Sequence, residues 1–213
     1  MTATPTSPSR RTLFALPLLA LAGPVWAARG KVVTLLGDSI TAGFGLPAQD
    51  ALPVQLHAAL NRLGVANIVR GAGVSGETTA GGAARVDFSV QPDTSVVVVE
   101  LGANDLLQGI DPRVTRANLD KILKRLTARR MGIVLTGIKA PSQIGRGYAR
   151  DFDAAFADAA KAHRVVFYPD LLAGIWGDPK LKQSDGLHPN AEGVRIIAVR
   201  LAPVVAKALA QRP

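Results

Sequence analysis

Four consecutive valines, Val96-Val97-Val98-Val99, constrain this chain more than any other feature. Successive side chains of a strand point to opposite faces, so a run without polar alternation must be covered on both sides. Runs of similar character recur at Lys31 to Leu36, Ala66 to Arg70, Ser95 to Leu101, Gly132 to Ile138 and Arg164 to Tyr168. They read as five buried strands. Helical patterns separate and follow them, at Asp50 to Leu63, Thr78 to Phe88, Pro112 to Arg130, Tyr148 to His163 and Ala191 to Ala210. Regular alternation of this kind predicts an α/β fold, a three-layer α/β/α sandwich around a central parallel sheet of about five strands. Ligands of such sheets collect beyond the carboxyl ends of the strands, which directs attention to the residues just after each one.

The chain has 213 residues, enough for one substantial core and too few for two ordinary domains. Its first thirty residues are of a different kind. Arg10 and Arg11 precede an apolar stretch from Leu13 to Ala22, then Gly23, Pro24 and Val25-Trp26-Ala27. That layout predicts a signal peptide over residues 1–27, cleaved after Ala27, and a single domain over 28–213. The adjacent arginines in Ser9-Arg10-Arg11-Thr12-Leu13-Phe14 resemble a twin-arginine export signal. The expected location is periplasmic or secreted.

Cysteine is absent, which excludes a disulfide scaffold, a thiol nucleophile and a zinc-thiolate site. Without residues 1–27 the chain loses two of its 25 basic residues and none of its 16 acidic ones, leaving +7. A basic surface is compatible with transient contact with anionic head groups. No lysine-arginine tract points to nucleic acid, and no obligate protein partner is implied.

The first strand runs into Gly37-Asp38-Ser39-Ile40-Thr41-Ala42-Gly43 and so presents a serine hydroxyl at a strand carboxyl end. A serine needs a base to be a nucleophile. Of the three histidines, His57 and His163 lie in ordinary helical patterns. His188 instead sits in the polar turn Asp185-Gly186-Leu187-His188-Pro189-Asn190 before the last helix. Asp185 is close enough in sequence to accept a hydrogen bond from one ring nitrogen, leaving the other for the serine proton. Donors for a developing oxyanion are offered by the Asn104 amide after the third strand, by the glycine-rich stretch Gly71 to Thr78 after the second, and by the Ser39 N–H.

These blocks resemble the SGNH hydrolases, also called the GDSL family. Ser39 matches the family's first-block serine, Gly76 its oxyanion glycine, Asn104 its oxyanion asparagine, and Asp185 with His188 its D-x-x-H acid and base. The resemblance covers about Lys31 to Arg200 and is strongest to the bacterial periplasmic thioesterase, lysophospholipase and arylesterase branch. Gly71, where that branch usually has asparagine, and the loosely matching stretch Ile138 to Gly145 depart from it. The resemblance implies a flavodoxin-like SGNH fold, an acyl-enzyme on Ser39, and no metal or cofactor. It also implies that loops 105–111 and 139–147 border the acyl pocket, with Leu106, Leu107, Ile110 and Ile144 as candidate substrate-binding residues. Acyl esters, lysophospholipids and aryl esters are the implied substrates, and acetylated envelope or plant glycans are an alternative.

Two further readings use the same residues. Gly71, Gly73 and Gly76 spell G-x-G-x-x-G after a strand, a nicotinamide-dinucleotide fingerprint. The following Glu77-Thr78-Thr79-Ala80-Gly81-Gly82 is a poor first turn for a pyrophosphate-binding helix, with a carboxylate where phosphate would sit. A non-catalytic binding module on the hydrolase fold would not require every catalytic position to be filled, as they are here.

Overall fold

The computed structural model describes residues 1–2 and 30–211. The twin-arginine pair, the apolar stretch and the expected cleavage site after Ala27 lie outside the described residues. Five strands, β1 (Lys31–Gly37), β2 (Asn67–Gly73), β3 (Thr94–Glu100), β4 (Gly132–Thr136) and β5 (Val166–Tyr168), form one sheet in the order β2-β1-β3-β4-β5. Every pairing is parallel. Seven α-helices accompany it among the described residues: α1 (Ser39–Ala42), α2 (Leu52–Arg62), α3 (Thr79–Ser89), α4 (Ala103–Leu107), α5 (Pro112–Ala128), α6 (Arg146–His163) and α7 (Ala191–Ala210). The expected three-layer architecture and its five strands are present.

The valine run explains the layering. Val96 and Val98 join a core formed with Val33 and Leu35 of β1, Leu56 and Leu60 of α2, and α7, while Val97 and Val99 join a second core against α3, α5 and α6. All four valines are fully buried. On α5 the residues Leu119, Ile122, Leu123 and Leu126, spaced by three and four, form a fully buried stripe against the second core. Helices of this length are marginal alone, so burial of such stripes supplies much of their stability.

Several boundaries differ from the sequence reading, three of them for plain local reasons. β2 extends through Gly71-Ala72-Gly73, pairing Gly71 with Leu35 and Gly73 with Gly37, although glycine disfavours strands. The close approach described below requires those glycines. β5 begins at Val166 rather than Arg164, because Arg164 ends α6 in a left-handed conformation, with φ of 54°. α2 begins at Leu52, since Asp50 belongs to a preceding 3-10 turn, Ala48–Asp50.

The chain leaves β1 toward β2 at one side of the sheet and then crosses to β3 at the other. The carboxyl ends of β1 and β3 therefore flank the switch point, where doubly wound sheets place their ligands. Ser39 follows the first of these strands and Asn104 the second. No helix among the described residues is long and apolar enough to cross a membrane.

Candidate active site

Ser39 opens α1 immediately after β1. Asp38 caps this helix, its Oδ1 accepting the Ile40 N–H at 3.1 Å. Gly43 closes it with φ of 73°, a conformation that a side chain would strain. A single helical turn this short is held by its surroundings rather than by propensity. Gly73 of β2 is packed so closely that a Cβ there would lie 2.3 Å from the Ala42 nitrogen and 2.7 Å from the Asp38 carbonyl oxygen. Gly71 abuts Pro53 in the same way, at 2.7 Å. Two of the three glycines of the dinucleotide pattern thus lie inside β2, where Gly71 makes room for Pro53 of α2 and Gly73 seats the nucleophile turn. Only Gly76, with φ of 81°, is in the loop beyond.

The second half of the site is the turn before α7. One Asp185 oxygen accepts the N–H groups of Leu187 at 2.9 Å and His188 at 3.0 Å, and the other lies 2.7 Å from His188 Nδ1. The Leu187 N–H, followed by the His188 ring, holds the Asp185 carboxyl down to about pKa 2. As a carboxylate it can only accept, so Nδ1 carries the ring proton. In the neutral imidazole that leaves Nε2 as an acceptor, and Nε2 lies 2.8 Å from Ser39 Oγ. The Gln183 side chain links the two turns, donating to the carbonyls of Phe44 at 2.8 Å and Pro189 at 3.0 Å. The Phe44 ring lies 4.8 Å from the His188 ring, centroid to centroid.

Asn104 lies in α4, just beyond β3. Its side-chain nitrogen donates to the Glu77 carbonyl at 2.9 Å and faces Asp38 Oδ2 at 3.3 Å. The first contact fixes the amide against the loop that carries Gly76. Glu77 is itself held by Arg85, whose guanidinium pairs with its carboxylate and donates to the Gly37 carbonyl at 3.0 Å. Asp105, fully buried, accepts from the Thr79 N–H at 2.8 Å and from the Thr115 hydroxyl at 3.0 Å, tying α3, α4 and α5 together. Sequence reasoning did not single out Arg85 or Asp105. A buried acid or a distant arginine acquires a partner only through the fold.

Ser39, His188, Gly76 and Asn104 line one cavity of about 240 Å³. Its apolar wall comprises Ile40, Phe44, Leu107, Leu172, Trp176 and Leu187. Of the four residues expected to hold substrate, only Leu107 lies there. Leu106 packs into the second core, because a helix turns successive residues through about 100° and α4 presents one leucine inward and the next to the cavity. Ile110 and Ile144 are not in the wall, and neither is the segment 139–147. Ile110 offers its carbonyl to the Tyr148 hydroxyl at 2.8 Å, and Ile144 is exposed on a 3-10 turn. The segment before α7 supplies Leu172, Trp176 and Leu187 instead. It has little periodicity, so Leu187, adjacent to His188, was the one available signal there.

His57 and His163 have structural partners, as expected. His57 bonds to Asn67 and Asn61, and His163 to Asp120.

A parallel α/β sheet whose first strand delivers a serine hydrogen-bonded to a histidine, itself bound to an aspartate three residues earlier, defines the class of SGNH hydrolases. The chain belongs to the GDSL-like lipase/acylhydrolase family, whose model matches residues 35–196, and it is a hydrolase of ester bonds. It is 32% identical over 176 residues to an arylesterase of Vibrio mimicus, covering 82% of this chain and 88% of that one. It is 33% identical over 173 residues to thioesterase 1/protease 1/lysophospholipase L1 of Escherichia coli strain K12, covering 81% and 82%. Among solved structures it is similar to AlinE4, an SGNH-hydrolase family esterase, with a TM-score of 0.71 and 39% identity over 84% of this chain and 97% of that one.

Proposed function

We propose that the protein is an exported serine esterase that cleaves carboxylic esters or thioesters through an acyl-enzyme on Ser39. The observation that carries this reading is the continuous line Asp185 to His188 Nδ1, 2.7 Å, and His188 Nε2 to Ser39 Oγ, 2.8 Å, at the wall of an apolar cavity. His188 accepts the Ser39 proton as the hydroxyl oxygen attacks the acyl carbon, and Asp185 stabilises the imidazolium. The carbonyl oxygen gains charge and is received by the N–H groups of Ser39 and Gly76 and by the Asn104 amide, whose N–H facing Asp38 Oδ2 at 3.3 Å in the resting enzyme turns to it while the other stays on the Glu77 carbonyl. Collapse expels the alcohol or thiol with a proton from His188. Water, deprotonated by the same histidine, then releases the acid.

The cavity holds the volume of roughly eight water-sized groups at about 30 Å³ each. A medium acyl chain or a single aromatic ring fills it, and a lauroyl chain overhangs. Each buried methylene contributes about 0.8 kcal/mol, or about fourfold in kcat/KM. Across a p-nitrophenyl ester series from acetate to laurate, kcat/KM is expected to climb by about that step and level off near octanoate. A profile falling from acetate onward would reject the acyl-pocket assignment and favour an acetyl esterase.

Asn104→Ala is expected to lower kcat by about 10²- to 10³-fold with little change in KM. If KM alone rose, Asn104 would contact the ground-state substrate and not the oxyanion. Export rests on the Arg10-Arg11 to Ala27 segment, and N-terminal sequencing of protein recovered from the periplasm or medium should begin at Ala28. Recovery of the full-length chain in the cytoplasm would count against it.

A further inference from the structure

Glu100, the last residue of β3, lies beneath the turn that carries Ser39 and is fully buried. Its Oε2 accepts from the Thr41 hydroxyl at 2.8 Å and from the Asp38 N–H at 3.3 Å. A Cβ on Gly37 would come within 2.4 Å of that same oxygen, so the carboxyl is pressed against bare backbone. Its other oxygen, Oε1, is equally buried, and no donor reaches it. Buried polar atoms are rarely left so, and an anionic oxygen least of all.

The charged groups around it do not compensate a carboxylate. On the β1–α1 turn stands Asp38, also fully buried, whose N–H donates to Glu100 Oε2 and whose carboxyl lies close enough to raise the Glu100 pKa. The loop after β2 contributes Glu77, another acid, and Arg85 of α3 is committed to Glu77 and the Gly37 carbonyl. From the turn before α7 comes His188, whose ring nitrogens are taken by Asp185 and Ser39. Two carboxyls so close cannot both be acceptors. A proton on Oε1 resolves this, since it gives the orphaned oxygen a bond and gives Asp38 a donor.

We propose that Glu100 is a positioning residue held as the un-ionised acid, donating its proton to the Asp38 carboxylate. Asp38 is then fixed in the orientation in which Oδ1 caps α1 through the Ile40 N–H and Oδ2 faces the Asn104 amide. Glu100 thereby orients both the nucleophile turn and an oxyanion donor, without touching substrate. It also limits the pair to one negative charge, where a second would oppose the charge developing on the substrate oxygen. Burial pushes both carboxyls upward, and the neighbouring Asp38 pushes Glu100 further.

The catalytic consequence rests on the reading of Ser39 and Asn104 given above, but the protonation does not. The test is infrared spectroscopy of the resting protein at pH 7, comparing wild type with Glu100→Gln and with Ser39→Ala. A carbonyl band of an un-ionised carboxylic acid is expected in wild type and Ser39→Ala and absent from Glu100→Gln. Glutamine reproduces the shape of the neutral acid, its acceptor toward Thr41 and a donor toward Asp38, so Glu100→Gln should fold and keep kcat within about threefold. Glu100→Met, which cannot donate to Asp38 or accept from Thr41, should lower kcat by about tenfold to a hundredfold with a smaller change in KM. A band unaffected by Glu100→Gln overturns the proposal. So does a glutamine variant that fails to fold or is as impaired as the methionine variant, because Glu100 would then be needed as a carboxylate. If Ser39→Ala kept full activity, the esterase mechanism would fail while the band still reported on Glu100.

Discussion

Ser39→Ala should lower kcat by about 10⁶-fold, the scale on which serine hydrolases with an intact base lose turnover when the nucleophile is removed. Residual catalysis of about 10³- to 10⁴-fold over water would remain from the oxyanion donors and binding. The fold should be indifferent to the change. Ser39 Oγ bonds to His188 Nε2, which borders the cavity, so its removal leaves no donor stranded in the core. The expected stability change is within about 1 kcal/mol by thermal unfolding. Wild-type activity in this variant would dismiss Ser39, and collapse of the fold would mean that the hydroxyl is structural.

Gly73→Ala should be the most damaging single methyl group near the site. The added carbon would lie 2.3 Å from the Ala42 nitrogen and 2.7 Å from both the Asp38 oxygen and the Thr41 carbon, all of them backbone. No side chain can swing aside. β2 cannot retreat either, since Gly73 is paired with Gly37 at the end of a seven-residue parallel ladder. The nucleophile turn must move instead, by something near an ångström, and a displacement of that size costs about 10²-fold in kcat/KM. Overpacking should cost about 1–3 kcal/mol or more as well. Gly147→Ala in α6 is the control, because nothing lies within 4 Å of its added carbon. It should leave activity unchanged and stability equal or slightly higher. Equal behaviour of the two variants in unfolding and kinetic assays would show that the turn does not depend on β2.

The core and the catalytic line were legible for one reason: their signals are local. Val96 to Val99 report two-sided burial by their own composition, and α7 was placed at Ala191–Ala210 from its periodicity. Asp185 and His188 lie within one turn, so their hydrogen bond could be anticipated from spacing. Gly71 and Gly73 show where such reading misleads. Three close glycines suit a phosphate loop or a crowded strand equally well, and only the pairing of β2 with β1 distinguishes them. Of the four residues expected to hold substrate, only Leu107 lines the cavity beside Ser39, for a related reason. Leu106 and Leu107 are equivalent in sequence, and the orientation of α4 alone sends one into the core. Trp176 and Leu172 come from a segment with little strand or helix signal, so nothing local announced them. The Glu100 and Asp38 contact spans sixty-two positions and arises only when β1 and β3 lie side by side.

The most direct measurement is covalent capture of the nucleophile. Protein comprising residues 28–213 would be treated with a p-nitrophenyl alkylphosphonate, assayed for remaining esterase activity and mapped by peptide mass spectrometry. One adduct per chain is expected, on Ser39, accumulating in step with loss of activity and absent from His188→Ala, where the serine lacks its base. Full activity with Ser39 modified, or inactivation with the adduct on another residue, would contradict the assignment of Ser39 as nucleophile.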